Sequence, residues 1–134
     1  MVDKQKDLEI GHITDLELGW LAGLWEGEGH FGYDRTQLAH LRMIDLDVIM
    51  KMKALTERVL NLPKPITLLH HTVRKDEQQT YGIQTYGAVA RAIMRLLLPL
   101  MGDRRRAQIW RSLNGYRPKM IKLPNNFIEE LLKK

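Results

Sequence analysis

The sequence predicts an α+β domain in which helices cover one face of an antiparallel sheet. Three observations lead there. Helical and strand periodicities alternate in the order α-β-β-α-β-β-α-α. The strand-like segments come in adjacent pairs, which suits hairpins and not crossover units. The length of 134 residues fits one core, so residues 1–134 form one domain with no linker or internal repeat.

Thr14 and Glu17 make a capping box, so a first helix starts near Asp15 and covers about residues 14–27. Leu16, Leu18, Trp20, Leu21, Ala22, Leu24 and Trp25 point all round a 3.6-residue wheel, which predicts burial on every side. Gly27 and Gly29 end it. Residues 30–37 and 38–44 alternate as two half-buried strands. Phe31 and Tyr33 oppose His30, Gly32, Asp34 and Thr36; Ala39, Leu41 and Met43 oppose Leu38, His40, Arg42 and Ile44. Asp47 is a candidate cap for a second helix with Val48, Met52, Leu55 and Val59 on one stripe, stopped at Pro63-Lys64-Pro65. Residues 66–74 and 80–86 read as a second strand pair around a polar turn, with the buried face of the third strand left open. A helix from about Ala88 carries Val89, Ile93, Leu96 and Leu97 and ends near Pro99. Asp103 caps another, with Ala107, Trp110 and Asn114 on one side; Gly115 and Pro118 close it. Residues 127–132 form a short last helix or fray with the tail, about residues 119–134.

Composition narrows the function classes. Without cysteine there are no disulfides, zinc ribbons or thiol catalysis. Arg95 interrupts the longest apolar run, and the first residues lack the apolar core of a signal peptide. The expectation is a cytoplasmic, organellar or nucleoid-associated protein, not a secreted one and not a membrane partner. The net charge is +5, and its distribution says more than its size. Residues 1–29 hold seven acidic and two basic side chains; residues 101–122 hold seven basic and one acidic. A basic segment beside an acidic helix fits a phosphate-binding surface around a metal centre.

The segment Leu21-Ala22-Gly23-Leu24-Trp25-Glu26-Gly27-Glu28-Gly29 carries the chemistry. Gly19, Gly23 and Gly27 recur on one side of a helix, where each glycine costs about 1 kcal/mol against alanine. Such a stripe is tolerated where another backbone comes close, either within the chain or from a second copy. Glu26 and Glu28 then end the helix against its macrodipole. Carboxylates brought together there are ligands for hard divalent cations, which support phosphodiester hydrolysis. The commoner meaning of such a pair is a solvated helix end. Two patterns are decoys. Gly27-Glu28-Gly29-His30-Phe31-Gly32 spells a G-x-G-x-x-G, but the helix precedes the glycines where a dinucleotide fingerprint needs a strand. His70 and His71 are adjacent on a strand and point to opposite faces, so one is half-buried, one exposed, and they do not chelate together.

The nine-residue segment resembles the motif of the LAGLIDADG homing endonucleases, single-motif type. Leu21-Ala22-Gly23-Leu24 matches outright, Trp25 stands for an aliphatic residue, and Glu26 and Glu28 hold the acidic positions. The element order extends the likeness over about residues 14–116. The resemblance implies a saddle-shaped sheet on double-stranded DNA and a homodimer joined through the motif helices, here Gly19, Ala22, Gly23 and Glu26. It implies Mg²⁺ or another divalent cation such as Mn²⁺, held by Glu28 with the Gly27 carbonyl, and no small-molecule cofactor. It places Asp45 near the attacking water and a basic residue, Arg104 or Arg105, at the phosphate. The outward sheet face, along the major groove, then offers His30, Gly32, Asp34, Thr36, Leu38, His40 and Arg42, with Arg74, Thr80 and Gln84 from the second hairpin and Arg106 beside them. Two departures stand out. Many relatives have aspartate where this chain has Glu28. Many have lysine at the basic position, and an arginine there serves only as an electrostatic or orienting group. The expected activity is site-specific double-strand cleavage at a long, near-palindromic target. The alternatives are a DNA-binding protein of this fold without cleavage and an RNA-splicing maturase.

Overall fold

The computed structural model describes residues 7–71, 78–116, 123 and 126–132. The chain runs α1 (Asp15–Glu28), β1 (Gly29–Tyr33), β2 (Gln37–Met43), α2 (Leu46–Leu60), β3 (Leu68–His71), β4 (Thr80–Tyr86), α3 (Gly87–Leu97), a 3-10 turn (Leu98–Leu100), α4 (Asp103–Leu113) and α5 (Phe127–Leu132). The strands form one antiparallel sheet in the order β1-β2-β4-β3. It is an α+β arrangement in the expected element order. No helix among the described residues is long and apolar enough to cross a membrane.

Local chemistry explains most boundaries. The Thr14 hydroxyl accepts from the Glu17 amide at 3.1 Å while Glu17 accepts from the Thr14 amide at 3.0 Å, so the capping box at the start of α1 is complete. α2 starts earlier than the Asp47 cap expected for it. Asp45 is its N-cap, without a side-chain bond, and Asp47 sits in the first turn, where its charge complements the helix dipole. α2 ends at Asn61, whose left-handed backbone (φ 48°) accommodates an asparagine just before the prolines. The N-cap of α4 is Gly102 and not Asp103. The first hairpin turns at residues 34–36, closed by the Asp34 amide on the Thr36 carbonyl at 2.9 Å. Asp34 and Thr36 therefore lie in the turn and leave the strand face expected for them.

Cross-strand register assigns the two faces of the sheet, because directly paired residues share a face. Phe31 pairs with Ala39, Ala39 with Thr85, Leu41 with Ile83 and Ile83 with Leu68. This is the helix side, where Phe31, Ala39, Leu41 and Ile83 are buried with Trp25, Met52, Ile93, Leu97 and Ile109. Trp25 stacks on Phe31 with ring centroids 5.4 Å apart. The opposite face carries His30, Gly32, Leu38, His40, Arg42, Leu69, His71, Thr80, Gly82, Gln84 and Tyr86. The register also settles β3: Leu68 shares the core face, and the edge position of His70 leaves it exposed against Tyr81. The terminal helix docks, burying Leu131 completely.

α1 departs from the expected all-round burial. Leu21, Ala22 and Trp25 are buried, whereas Leu16 is 85% exposed and Gly19, Gly23 and Gly27 face outward. One side of the helix feeds the core of this chain and the other side is open.

Candidate active site and nucleic-acid interface

The C-terminal end of α1 meets the N-terminal end of α4. The Glu26 carboxylate accepts from the Gly102 amide at 2.5 Å, and the Glu26 carbonyl accepts from Arg105 Nε at 3.1 Å. Arg105 Nη1 also donates to Gln108 Oε1 at 3.2 Å, and the same oxygen accepts the Phe31 amide at 3.1 Å. Phe31 lies on an edge strand, so Gln108 satisfies an amide that β2 does not reach. The Gly27 carbonyl is among the last four of α1, which have no partner within the helix.

This geometry distinguishes the three consecutive arginines. Arg105 is 5% exposed and lies beside the motif carboxylates. Burial and the neighbouring Arg104 lower its pKa, and Glu26 and Glu28 oppose that shift. A guanidinium nonetheless stays protonated at neutral pH. Arg104 is exposed. Arg106 turns back to the 3-10 turn, donating to the Leu98 carbonyl at 3.3 Å and the Pro99 carbonyl at 3.1 Å. Those bonds tie Arg106 to the 3-10 turn and give it a local capping role.

Glu28 is the exposed last residue of α1, and among the described residues its carboxylate makes no hydrogen bond or ion pair. Gly27 beside it is exposed too. Asp45 stands just beyond β2, at the same end of the sheet as Glu28, because Gly29 pairs with Leu41. Oxygen donors of this kind suit a hard cation such as Mg²⁺ or Mn²⁺. Among the described residues no group of three or more His, Cys, Asp or Glu side chains that could hold a metal ion converges.

Among the described residues no close neighbour explains the glycine stripe. A Cβ added at Gly19, Gly23 or Gly27 would meet nothing within 4 Å. Beside the stripe an apolar groove between α1 and α2 is lined by Leu16, Trp20, Ala54 and Leu55, with Lys51 4.7 Å above the Trp20 ring. Of the expected interface residues, Gly19 and Gly23 lie on this open side. Ala22 does not: at 5% exposure its methyl belongs to the core. Glu26 turns its carboxylate to Gly102 instead.

The open sheet face forms a shallow depression lined by Leu38, His40, Arg42, Leu69, His71 and Gln84. Gly82 explains why Arg42 is accessible there. A Cβ on residue 82 would lie 2.5 Å from the Leu41 carbonyl and 3.2 Å from the Arg42 Cβ, so the paired position must stay bare. Asp34 sits in the turn at the far end of the hairpin, which rules out an Arg42–Asp34 pair. His30 and His40 are directly paired, with ring centroids 5.0 Å apart. Burial lowers both pKa values; Arg105 adds to the effect on His30, and His30 and Arg42 add to that on His40. Thr80 and Gln84 share this face as expected, and Arg74 lies outside the described residues.

Periodicity and motif together did not single out three of these residues. Gln108 follows Arg105 by three helical positions, and that spacing is the one signal the sequence holds for it. His71 and Tyr86 join the open face only once β3 and β4 are in register. No protein-family model matches the chain, and no curated protein matches it.

Proposed function

We propose that this protein is a divalent-metal-dependent, site-specific double-strand DNA endonuclease of the LAGLIDADG type, acting as a homodimer. One observation carries the reading. The motif-like helix presents an open glycine stripe that no close neighbour among the described residues explains, and it ends on an exposed carboxylate beside a buried arginine. A solvated helix end accounts for the exposed acid but not for the glycines or the arginine.

Two copies crossing at Gly23 bring two Glu28 carboxylates and two Gly27 carbonyls together, completing the donor set that one chain lacks. Mg²⁺ or Mn²⁺ held there supplies Lewis-acid stabilisation of phosphoryl oxygen and lowers the pKa of water. Asp45 accepts a hydrogen bond from the attacking water and orients it. Arg105, permanently charged, offsets the negative charge that grows on the phosphate. Water oxygen adds to phosphorus, the phosphorus–oxygen bond to the leaving sugar breaks, and the proton ends on the leaving oxygen. The open face with His30, His40, Arg42, Thr80 and Gln84 lies along the major groove, curved as a saddle over the duplex. Two-fold symmetry of the protein calls for a near-palindromic site.

The test is incubation with a randomised duplex library and Mg²⁺, followed by sequencing of cut ends. Recovery of one two-fold target supports the reading. Retention of uncut duplex supports a cleavage-inactive DNA-binding protein, and selection of RNA over duplex supports a maturase; either overturns the endonuclease.

A further inference from the structure

Glu26 grips α4 with both its carboxylate and its backbone. Oε1 takes the Gly102 amide at 2.5 Å and the carbonyl takes Arg105 Nε at 3.1 Å. α1 has no basic residue in its last turn, and Gly102 brings no side chain to the start of α4. An anion at a helix start and a cation at a helix end both complement the macrodipole, so Glu26 adds to the Asp103 charge at the start of α4 and Arg105 supplies the cation that the end of α1 lacks. A Cβ at residue 102 would lie 3.3 Å from Glu26 Oε1, so glycine leaves the carboxylate its place. Gln108 closes the brace onto β1, because its single oxygen takes both Arg105 Nη1 and the Phe31 amide.

We infer that Glu26 and Gln108 are positioning residues that hold Arg105 beside Glu28, and that Glu26 is not itself a metal ligand. The inference rests on the reading of Glu28 as the metal-binding acid. The two motif carboxylates thereby have separate tasks: Glu28 faces outward to the cation, and Glu26 faces α4. Fixing a long arginine side chain matters because a small misplacement of a charged group at the phosphate is costly in rate.

The experiment uses the full chain with Glu26→Ala, Glu26→Gln, Gln108→Met and Gln108→Glu. The first measurement needs no cleavage: amide hydrogen exchange at Gly102 and Phe31 and the Arg105 Nε–H resonance in metal-free protein. Glu26→Ala should speed exchange at Gly102, and Gln108→Met at Phe31, each by about tenfold or more. Both should move the Arg105 resonance. Glu26→Gln and Gln108→Glu keep an acceptor oxygen and should stay near the parent. The second measurement is single-turnover cleavage against DNA and Mg²⁺ concentration. Glu26→Ala and Gln108→Met should lower the saturated rate by about 10- to 100-fold. The half-saturating concentrations of DNA and Mg²⁺ should hold within about twofold, and the conservative variants should recover the rate. Unchanged exchange and resonance in both truncating variants would overturn the brace. A raised Mg²⁺ midpoint in Glu26→Ala would make Glu26 a ligand and overturn the division of tasks. Failure of Glu26→Gln to recover the rate would overturn the hydrogen-bond role. A parent that leaves duplex uncut overturns the endonuclease reading instead, and the exchange and resonance measurements still decide whether the brace exists.

Discussion

Gly23→Leu, read beside Gly23→Ala, separates a solvent-facing helix from one that crosses its own copy. Among the described residues a Cβ at residue 23 meets nothing within 4 Å, so alanine carries no steric cost there. Alanine in place of glycine in a helix interior is worth about 0.8–1.0 kcal/mol. On a solvent-facing stripe, Gly23→Ala would therefore stabilise the chain and raise its Tm by about 4 °C. The sign reverses if two backbones cross at this point. Overpacking a tight contact costs about 1–3 kcal/mol, and in a homodimer both copies carry the substitution, so about 2–6 kcal/mol falls on association. Taking about 4 kcal/mol from the middle of that range, the dimer dissociation constant rises roughly 10³-fold. Sedimentation equilibrium over a range of concentrations, with thermal melts at the two extremes, measures both effects. The expected outcome is a dimeric parent and a Gly23→Leu chain that is folded, monomeric and unable to make double-strand cuts. A parent that stays monomeric while Gly23→Ala raises its Tm would refute the argument. So would a Gly23→Leu dimer of parental affinity.

Other expectations follow from single side chains. Glu28→Gln should abolish cleavage while DNA binding survives, since metal ligation needs the charged carboxylate and phosphate binding comes from elsewhere; paired cleavage and filter-binding assays check this, and cleavage within about tenfold of the parent contradicts it. Arg42→Ala should cost about 1–3 kcal/mol on the best target and relax preference at one base pair per half-site if the guanidinium reads guanine. An even loss across a target library, with the preference profile unchanged, would make Arg42 a phosphate-binding group. Arg104→Ala should reduce the slope of log K against log salt by about 0.9 for each phosphate left without its guanidinium. Arg106→Ala should leave that slope alone and lower stability by about 1 kcal/mol, because its bonds to two carbonyls are gone. His30 and His40 have lowered pKa values in the folded chain, so folding stability is full above about pH 6.5, the unfolded value, and falls as pH drops below it. DNA affinity should move the other way, because an imidazole that charges on the proposed DNA-facing side adds a cation beside a polyanion. Melts and binding at pH 7.5 and 5.5 for the parent and for His30→Asn with His40→Asn check both signs, and a parental pH response in the double variant would contradict them.

The sequence by itself determined the α+β class, the element order, the capping box and the span of β4, because these follow from periodicity and from interactions within a few residues. It also put Glu28 at a helix end and His30, His40 and Arg42 on one strand face, since both follow from local periods. Where an exact position depended on a partner far along the chain, local rules went astray. Asp103 looked like a cap, yet the start of α4 is capped by Glu26, 76 residues earlier. The sequence left Arg104 and Arg105 as alternatives for one position, and packing turned Arg105 to the end of α1, Arg104 to solvent and Arg106 to the 3-10 turn. The phase of β3, and with it the place of His71, waited for pairing with β4. The resemblance put Ala22 at the contact between two copies, and in this chain its methyl is buried in the core. Apolar residues all round α1 say only that both sides seek burial. The tertiary structure shows which side this chain covers and which it leaves open, because burial depends on what the rest of the chain can reach, and no local period encodes that.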